Sequence, residues 1–244
     1  MTIIPQIEGL VHVPGLRGNP ERVYTKTSSV GPTFPGTFEN YVASVISRWQ
    51  AGDKDTLGQL GAWLEHLGLS WKVDARSVDD TRVELRVGRL LHSRRGGAHD
   101  MVNVADAGFG LSQVLPVLVA MLAAQPGQLV YLDQPEIHLH PRAQCALARV
   151  LADVARRRIR LVVETHSALL LREIQTLVAK GQLAPDLVKL HWFKRNPDDG
   201  VTTMSTADLD QNGAYGDWPE DFDEVHLDAE KAYLDAVEKK AAPS

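Results

Sequence analysis

A chain of 244 residues with 44% hydrophobic side chains can bury one sizeable α/β core, and a formal charge of −5 argues against a dedicated nucleic-acid binder, leaving room only for a local basic patch. Cys145 is the only cysteine, which excludes an intrachain disulfide and any zinc site built on several thiolates, and fits a reducing cytoplasm. The opening MTIIPQIEGLVHVPG lacks the basic and apolar regions of a signal peptide, and the longest apolar run, Val114–Ala124, is too short to span a bilayer and contains Pro116, so no membrane association is expected.

Residues 1–36 are rich in Gly and Pro, from Pro14, Gly15 and Gly18 to Pro35 and Gly36, and are expected to form an irregular opening segment. Apolar residues then recur at helical spacing over Phe38–Trp49 and Thr56–Leu67, where Leu57, Leu60, Trp63, Leu64 and Leu67 mark one face. These two helices are expected to form a small lobe within 37–105, together with strands at Ser70–Val73, Val83–Val87 and Val102–Val104 and an exposed turn at His92–His99. Residues 106–215 are expected to form the main α/β core. Leu129–Leu132 is a short apolar run ending in Asp133, and Leu161–Val163 is another ending in Glu164, Thr165 and His166; both are expected to be buried parallel strands.

Between these strands Pro141 marks a helix start, Leu147, Val150, Leu151 and Val154 share an apolar face, and Arg156–Arg158 sit where cations suit the helix dipole. Strand, helix and strand make a βαβ unit. A further helix is expected over Ser167–Lys180, stopped by Gly181, then a hairpin of Leu187–Lys194 and Val201–Ser205 across Asn196–Gly200. Residues 216–244 are expected to be an acidic tail pinned by Trp218 and Phe222.

Ligands of doubly wound sheets bind beyond the carboxyl ends of the strands, and both apolar strands here deliver polar residues to that end: Asp133-Gln134-Pro135-Glu136 and Glu164-Thr165-His166-Ser167. A carboxylate directly after a buried strand is costly to desolvate unless a metal or hydrogen bonds compensate, so Asp133 is a candidate ligand for Mg²⁺, directly or through water. A loop-capping aspartate is the plainer alternative.

These residues carry a family resemblance. LVYLDQPEIHLHPRAQ resembles the Walker B and D-loop region of ABC-type ATPases, LVVETHS the strand leading to their switch histidine, and GFGLSQVLPVL their signature segment. Order and spacing are similar to those of bacterial ATPases grouped with OLD, RecF and SMC proteins, some of which end in a WPEGFFDE-like motif resembled here by WPEDFDE at Trp218–Glu224. The resemblance is good over roughly residues 100 to 225 and loose before that, through GLRGNPERVY. It implies a partial P-loop NTPase sheet flanked by helices, with ATP and Mg²⁺ as cofactors. Residue by residue, it makes Asp133 the metal-binding acid and His166 the sensor of the γ-phosphate. Gly108, Gly110, Ser112 and Gln113 become signature residues facing a nucleotide held by the opposite subunit, with His138 beside them. It also implies a homodimer or a partner bearing the Walker A loop, and links to DNA transactions or phage defence.

Ser112 is a plausible N-cap with Pro116 in the first turn, and a helix N-terminus there would attract phosphate; a glycine-rich turn before a core helix is the bland alternative. Two departures stand out. Gln134 occupies the place of the usual catalytic Glu, so hydrolysis would rest on water orientation by Gln134 or on Glu136. The phosphate-cradling sequence G-x-x-x-x-G-K-S/T does not occur, which suggests a fragment, a truncated product or one piece of a split ATPase. Alternatives are a metal-dependent hydrolase using His138 and His140 with Asp133, Glu164 and His166, and a non-enzymatic interaction module that keeps the fold.

Overall fold

The computed structural model describes residues 9–28, 33–92, 100–216 and 231–234. The expected exposed turn falls largely on 93–99, and the WPEDFDE motif and its pinning aromatics fall on 217–230; both lie outside the described residues.

The fold is α/β, built on a parallel sheet with helices against it. Strand β1 (Val11–Val13) pairs in parallel with β6 (Leu129–Asp133), which pairs in parallel with β7 (Arg160–Glu164). A second, antiparallel sheet has the order β2 (Tyr24–Thr25), β4 (Arg82–Gly88), β3 (Val73–Ser77), with β5 (Met101–Asn103) also on β4. Residues 1–36 were expected to be irregular, yet they contribute a strand to each sheet. Proline and glycine punctuate that stretch, and β1 survives between them because Val11 and Val13 are wholly buried while His12 points the other way. The strand expected at Ser70–Val73 begins only at Val73. Ser70 is instead consumed in a turn, its hydroxyl donating to the carbonyls of Lys72 and Gly88.

Five helices accompany the sheets among the described residues: α1 (Val42–Gly52), α2 (Lys54–His66), α3 (Phe109–Ala123), α4 (Pro141–Arg156) and α5 (Ala168–Ala179). Asp53 caps α2, its carboxylate accepting from the Thr56 amide at 3.1 Å. α4 begins at Pro141, where the missing N–H costs nothing. α3 is apolar nearly all round, which is the composition of a helix buried on every side, and Val114, Leu115 and Val117–Met121 are at most 2% exposed. Helices α1 and α2 pack on α3, and α1 also packs on β3, so they belong to the main body instead of a separate lobe. Ile46, Leu60, Leu64, Leu118, Met121, Leu132 and Leu147 form its centre, each contributing about 1.5–3 kcal/mol by burial.

The chain divides into two compact units, Met1–Leu170 and Leu171–Ser244. In the second unit the hairpin forms as its turn residues foretell, β8 (Lys189–Arg195) against β9 (Thr202–Asp208) with Gly200 at φ +73°.

Candidate functional site

The parallel sheet aligns its carboxyl ends. Register places Asp133 opposite Glu164, and pairing continues one step further, the Gln134 amide donating to the Glu164 carbonyl at 2.8 Å. The segments that leave β1, β6 and β7 therefore meet at one edge of the sheet, where the polar residues Asp133, Gln134, Glu136, Thr165 and His166 gather with the backbone of Gly15.

Asp133 is half-buried at the tip of β6. Its Oδ2 accepts from the Gly15 amide at 2.9 Å, and the approach is so close that a Cβ on residue 15 would stand 2.8–2.9 Å from all three carboxyl atoms. Only glycine allows the β1 loop to pass at this distance. Two residues on, Arg17 is buried to 5% exposure and turns its guanidinium onto backbone: Nη1 donates to the Pro14 and Asp133 carbonyls at 3.0 and 3.3 Å, and Nη2 to the Gln134 carbonyl at 3.1 Å. Burial lowers its pKa from the ordinary arginine value, opposed by the charges of Glu39, Asp133 and Glu136, in that order. Arginine is never deprotonated at working pH, so the result is a fixed cation behind the β6 tip. Gln134 sits at φ +42°, a region non-glycine residues visit rarely, and the Arg17 and Glu164 bonds hold it there from both sides.

Glu136 ties β6 to β7. At 7% exposure, its Oε1 accepts from the Thr165 hydroxyl at 2.6 Å and from the His166 amide at 3.1 Å, while Oε2 is buried without a hydrogen-bond partner. A carboxylate so engaged orients the segment that carries the His166 ring, which itself is exposed. Ser167 continues the tie, donating to Gln144 Oε1 at 2.7 Å and accepting from the Leu170 amide as the cap of α5. Tyr131 OH donates to Glu164 Oε2 at 2.9 Å, and that bond, with burial second, raises the tyrosine pKa.

The glycine-rich segment reaches the same turn by its backbone. A Cβ on Gly110 would stand 2.7 Å from the His138 carbonyl oxygen, and the Phe109 ring meets the His138 ring edge to face at 4.6 Å. His138 is exposed at φ +65°. Ser112, however, is not the N-cap: α3 starts at Phe109 with Gly108 in the capping place, and the Ser112 hydroxyl donates back to the Phe109 carbonyl at 2.8 Å. Pro116 consequently lies inside the helix, not in its first turn. Gln113 turns inward at 2% exposure and gives its amide to the Gly18 carbonyl at 3.0 Å, so its side chain braces the β1 loop and does not face an outside ligand. His140 caps α4, its Nδ1 accepting from the Arg142 amide at 3.3 Å.

Among the described residues no group of three or more His, Cys, Asp and Glu is gathered closely enough to hold a metal by itself. Asp133 nevertheless fits Mg²⁺ of the kind that keeps water and phosphate oxygens as most of its ligands. Sequence reading missed Gly15 and Arg17. The signal was present in PGLRG directly after an apolar Val-His-Val, but nothing local tells that its partners lie 118 and 116 residues away.

Residues 64–172, from the end of α2 into α5, match the family model described as "AAA domain, putative AbiEii toxin, Type IV TA system". The search of curated proteins finds no match. Among solved structures, the chain is similar in fold to an SMC ATPase from a study of ATP-driven dimerization and DNA-stimulated activation, at 11% identity and TM-score 0.45, over 69% of this chain and 91% of that one. It is also similar to an SmcHead bound to the C-winged helix domain of ScpA, at 10% identity and TM-score 0.48, over 70% of this chain and 49% of that one. A third is the Smc head domain with a coiled coil and joint from Pyrococcus yayanosii, at 9% identity and TM-score 0.45, over 68% and 29%. No helix among the described residues is long and apolar enough to cross a membrane.

Proposed function

We propose that this chain provides the magnesium-binding, water-orienting and γ-phosphate-sensing side of an ATP-hydrolysing site, and that a segment bearing G-x-x-x-x-G-K-S/T provides the phosphate cradle. The observation that carries the reading is the single hydrogen-bonded edge made by Gly15, Asp133, Gln134, Glu136 and His166 at the carboxyl end of three parallel strands. The family match over 64–172 supports it.

Asp133 holds the metal, directly or through water, with Gly15 and Arg17 fixing where its strand tip lies. Magnesium, when bound, neutralises charge that develops on the phosphate oxygens. Gln134 offers an amide that donates and accepts, enough to orient a water but too weak to take its proton. Glu136 keeps the β7 tip in place through the His166 amide, and so positions the imidazole that reaches the terminal phosphate. Gly108 and Gly110, with the exposed Phe109 and His138, form a face suited to the nucleotide of a second, opposed subunit; a homodimer and a nucleic-acid track belong to this reading.

The test is phosphate release by the chain reconstituted with a phosphate-loop-bearing polypeptide. Asp133→Ala and His166→Ala are each expected to lower turnover by about a hundredfold or more, the usual scale for removing a group that stabilises transferring phosphate. Turnover unaffected by Asp133→Ala contradicts the assignment. The absence of a phosphate-cradling sequence favours a second reading, an interaction module that binds no nucleotide; it predicts a complex that forms normally and takes up no ATP.

A further inference from the structure

Helix α4 carries a charge that the chain as a whole does not share. Residues 141–160 hold six arginines and one aspartate in a protein whose formal charge is −5, and all six arginines are exposed. Arg142, Arg149 and Arg156 recur every seven residues and so stand in one row along the helix, each displaced from the last by only about 20°. At about 1.5 Å of rise per residue the steps are about 10.5 Å and the row is about 21 Å long. Arg157, Arg158 and Arg160 extend it past the helix end, where Arg157 and Arg48 line one cavity of about 580 Å³.

Helix stability does not account for this row. A cation suits the last turn of a helix, which explains Arg156, but it opposes the dipole in the first turn, where Arg142 is the second residue of α4. Asp153 pairs with Arg156 at 2.7 Å, whereas Arg142, Arg157 and Arg158 form no ion pair among the described residues. We infer that the outer face of α4, with the turn that follows it, is a docking surface for B-form duplex DNA, which it holds by the phosphates and without regard to sequence. The nucleic-acid track named above thereby gains a place on the chain, and that place stands whether or not a nucleotide binds.

Charge and spacing select this occupant. Guanidinium groups recognise phosphate through paired N–H donors, and neutralising phosphates releases the counterions condensed on a duplex. Steps of about 10.5 Å match the major groove of B-DNA, about 12 Å wide, so successive arginines reach phosphates on its two walls. Duplex RNA narrows that groove to a deep slot, and a single strand has no fixed spacing to match. The rest of α4 is committed to the core through Ala146, Leu147, Val150 and Val154, so the helix lies on the backbone and cannot enter a groove to read base edges.

The experiment is fluorescence anisotropy with the full chain, two labelled DNA duplexes of unrelated sequence, an RNA duplex and a single DNA strand, from about 50 to about 200 mM salt. Both DNA duplexes should bind alike and more tightly than the other two probes, with log K falling against log salt at a slope of about −4 to −5, the value for four to six phosphates. Changing Arg142, Arg149 and Arg157 together to Gln should weaken binding at least about tenfold and make the slope shallower by about three. Arg142→Gln alone, which removes a cation from the wrong end of a helix, should leave Tm unchanged or higher and still make the slope shallower by about one. Arg76→Gln, on an exposed position of β3, is the control and should bind as wild type. No binding of duplex DNA at about 50 mM salt, binding insensitive to salt, a preference for RNA or the single strand, wild-type binding in the α4 variants, or an equal loss in Arg76→Gln each overturns the inference. No nucleotide enters this assay, so its failure and a failure of the phosphate-release test are separate results.

Discussion

Replacing Gly15 by alanine tests the join between the β1 loop and the β6 tip. The new methyl would stand 2.8 Å from Cγ and Oδ2 of Asp133 and 2.9 Å from Oδ1, closer than atoms tolerate, so the carboxylate must swing away. It then abandons the Gly15 amide, a bond of 2.9 Å in a half-buried place. An amide bonded to a charged group contributes about 1.5–3 kcal/mol, and crowding of this kind costs about 1–3 kcal/mol, partly the same loss. We expect a net destabilisation of about 2–3 kcal/mol, lowering Tm by about 4–12 °C for a chain of this size. The assay is a double-mutant cycle by urea unfolding with Asp133→Ala, which removes the obstructing carboxylate. Gly15→Ala should then cost little, giving a coupling of at least about 1 kcal/mol. Single-mutant effects that add to within about 0.5 kcal/mol would refute the contact.

Two glycines of α2 should respond with opposite signs. Nothing lies within 4 Å of a Cβ at Gly58, whereas one at Gly61 would be 2.9 Å from the Trp71 carbonyl oxygen. In urea melts Gly58→Ala is expected to stabilise by about 0.5–1 kcal/mol and Gly61→Ala to destabilise by about 1–3 kcal/mol; the same sign for both contradicts the packing described. Thr165→Val removes the hydroxyl that donates to Glu136 and accepts from the Ser167 amide, and should cost about 1–3 kcal/mol in the same melts. The Asp53 pKa is lowered from 3.8, first by the Thr56 amide bond, so its contribution to stability is complete above that value and is lost as pH falls through the lower, folded-state value. Wild-type Tm should therefore fall relative to Asp53→Asn from about pH 4 downward, and a constant difference refutes the cap.

The second half of the chain announces its elements because each carries a local signal. Apolar runs break at Asp133 and Glu164, Pro141 opens α4, and Gly181 stops α5 at φ +68°. The first half withholds its role because its signals are nonlocal. Val11–Val13 is too short to read as a strand until Val130–Leu132 pairs with it. Arg17 looks like any solvated arginine until the carbonyls of Asp133 and Gln134, more than a hundred residues away, claim it together with that of nearby Pro14. Gln113 carries the residue type of a ligand-facing signature but occupies a buried turn of α3, where its amide donates to the Gly18 carbonyl. At the strand tips, sequence picks out which residues gather; Glu136 shows why their roles need coordinates, since its engaged Oε1 marks a brace where a general base was one option.

The most direct measurement is equilibrium binding of a fluorescent ATP analogue, with Mg²⁺, to the chain reconstituted with a polypeptide that bears a phosphate loop. If the tips of β6 and β7 attend the same nucleotide, Asp133→Ala and His166→Ala each weaken binding by about tenfold or more, and the Asp133 variant also loses its dependence on Mg²⁺. Wild-type affinity and wild-type Mg²⁺ dependence in both variants would contradict the account.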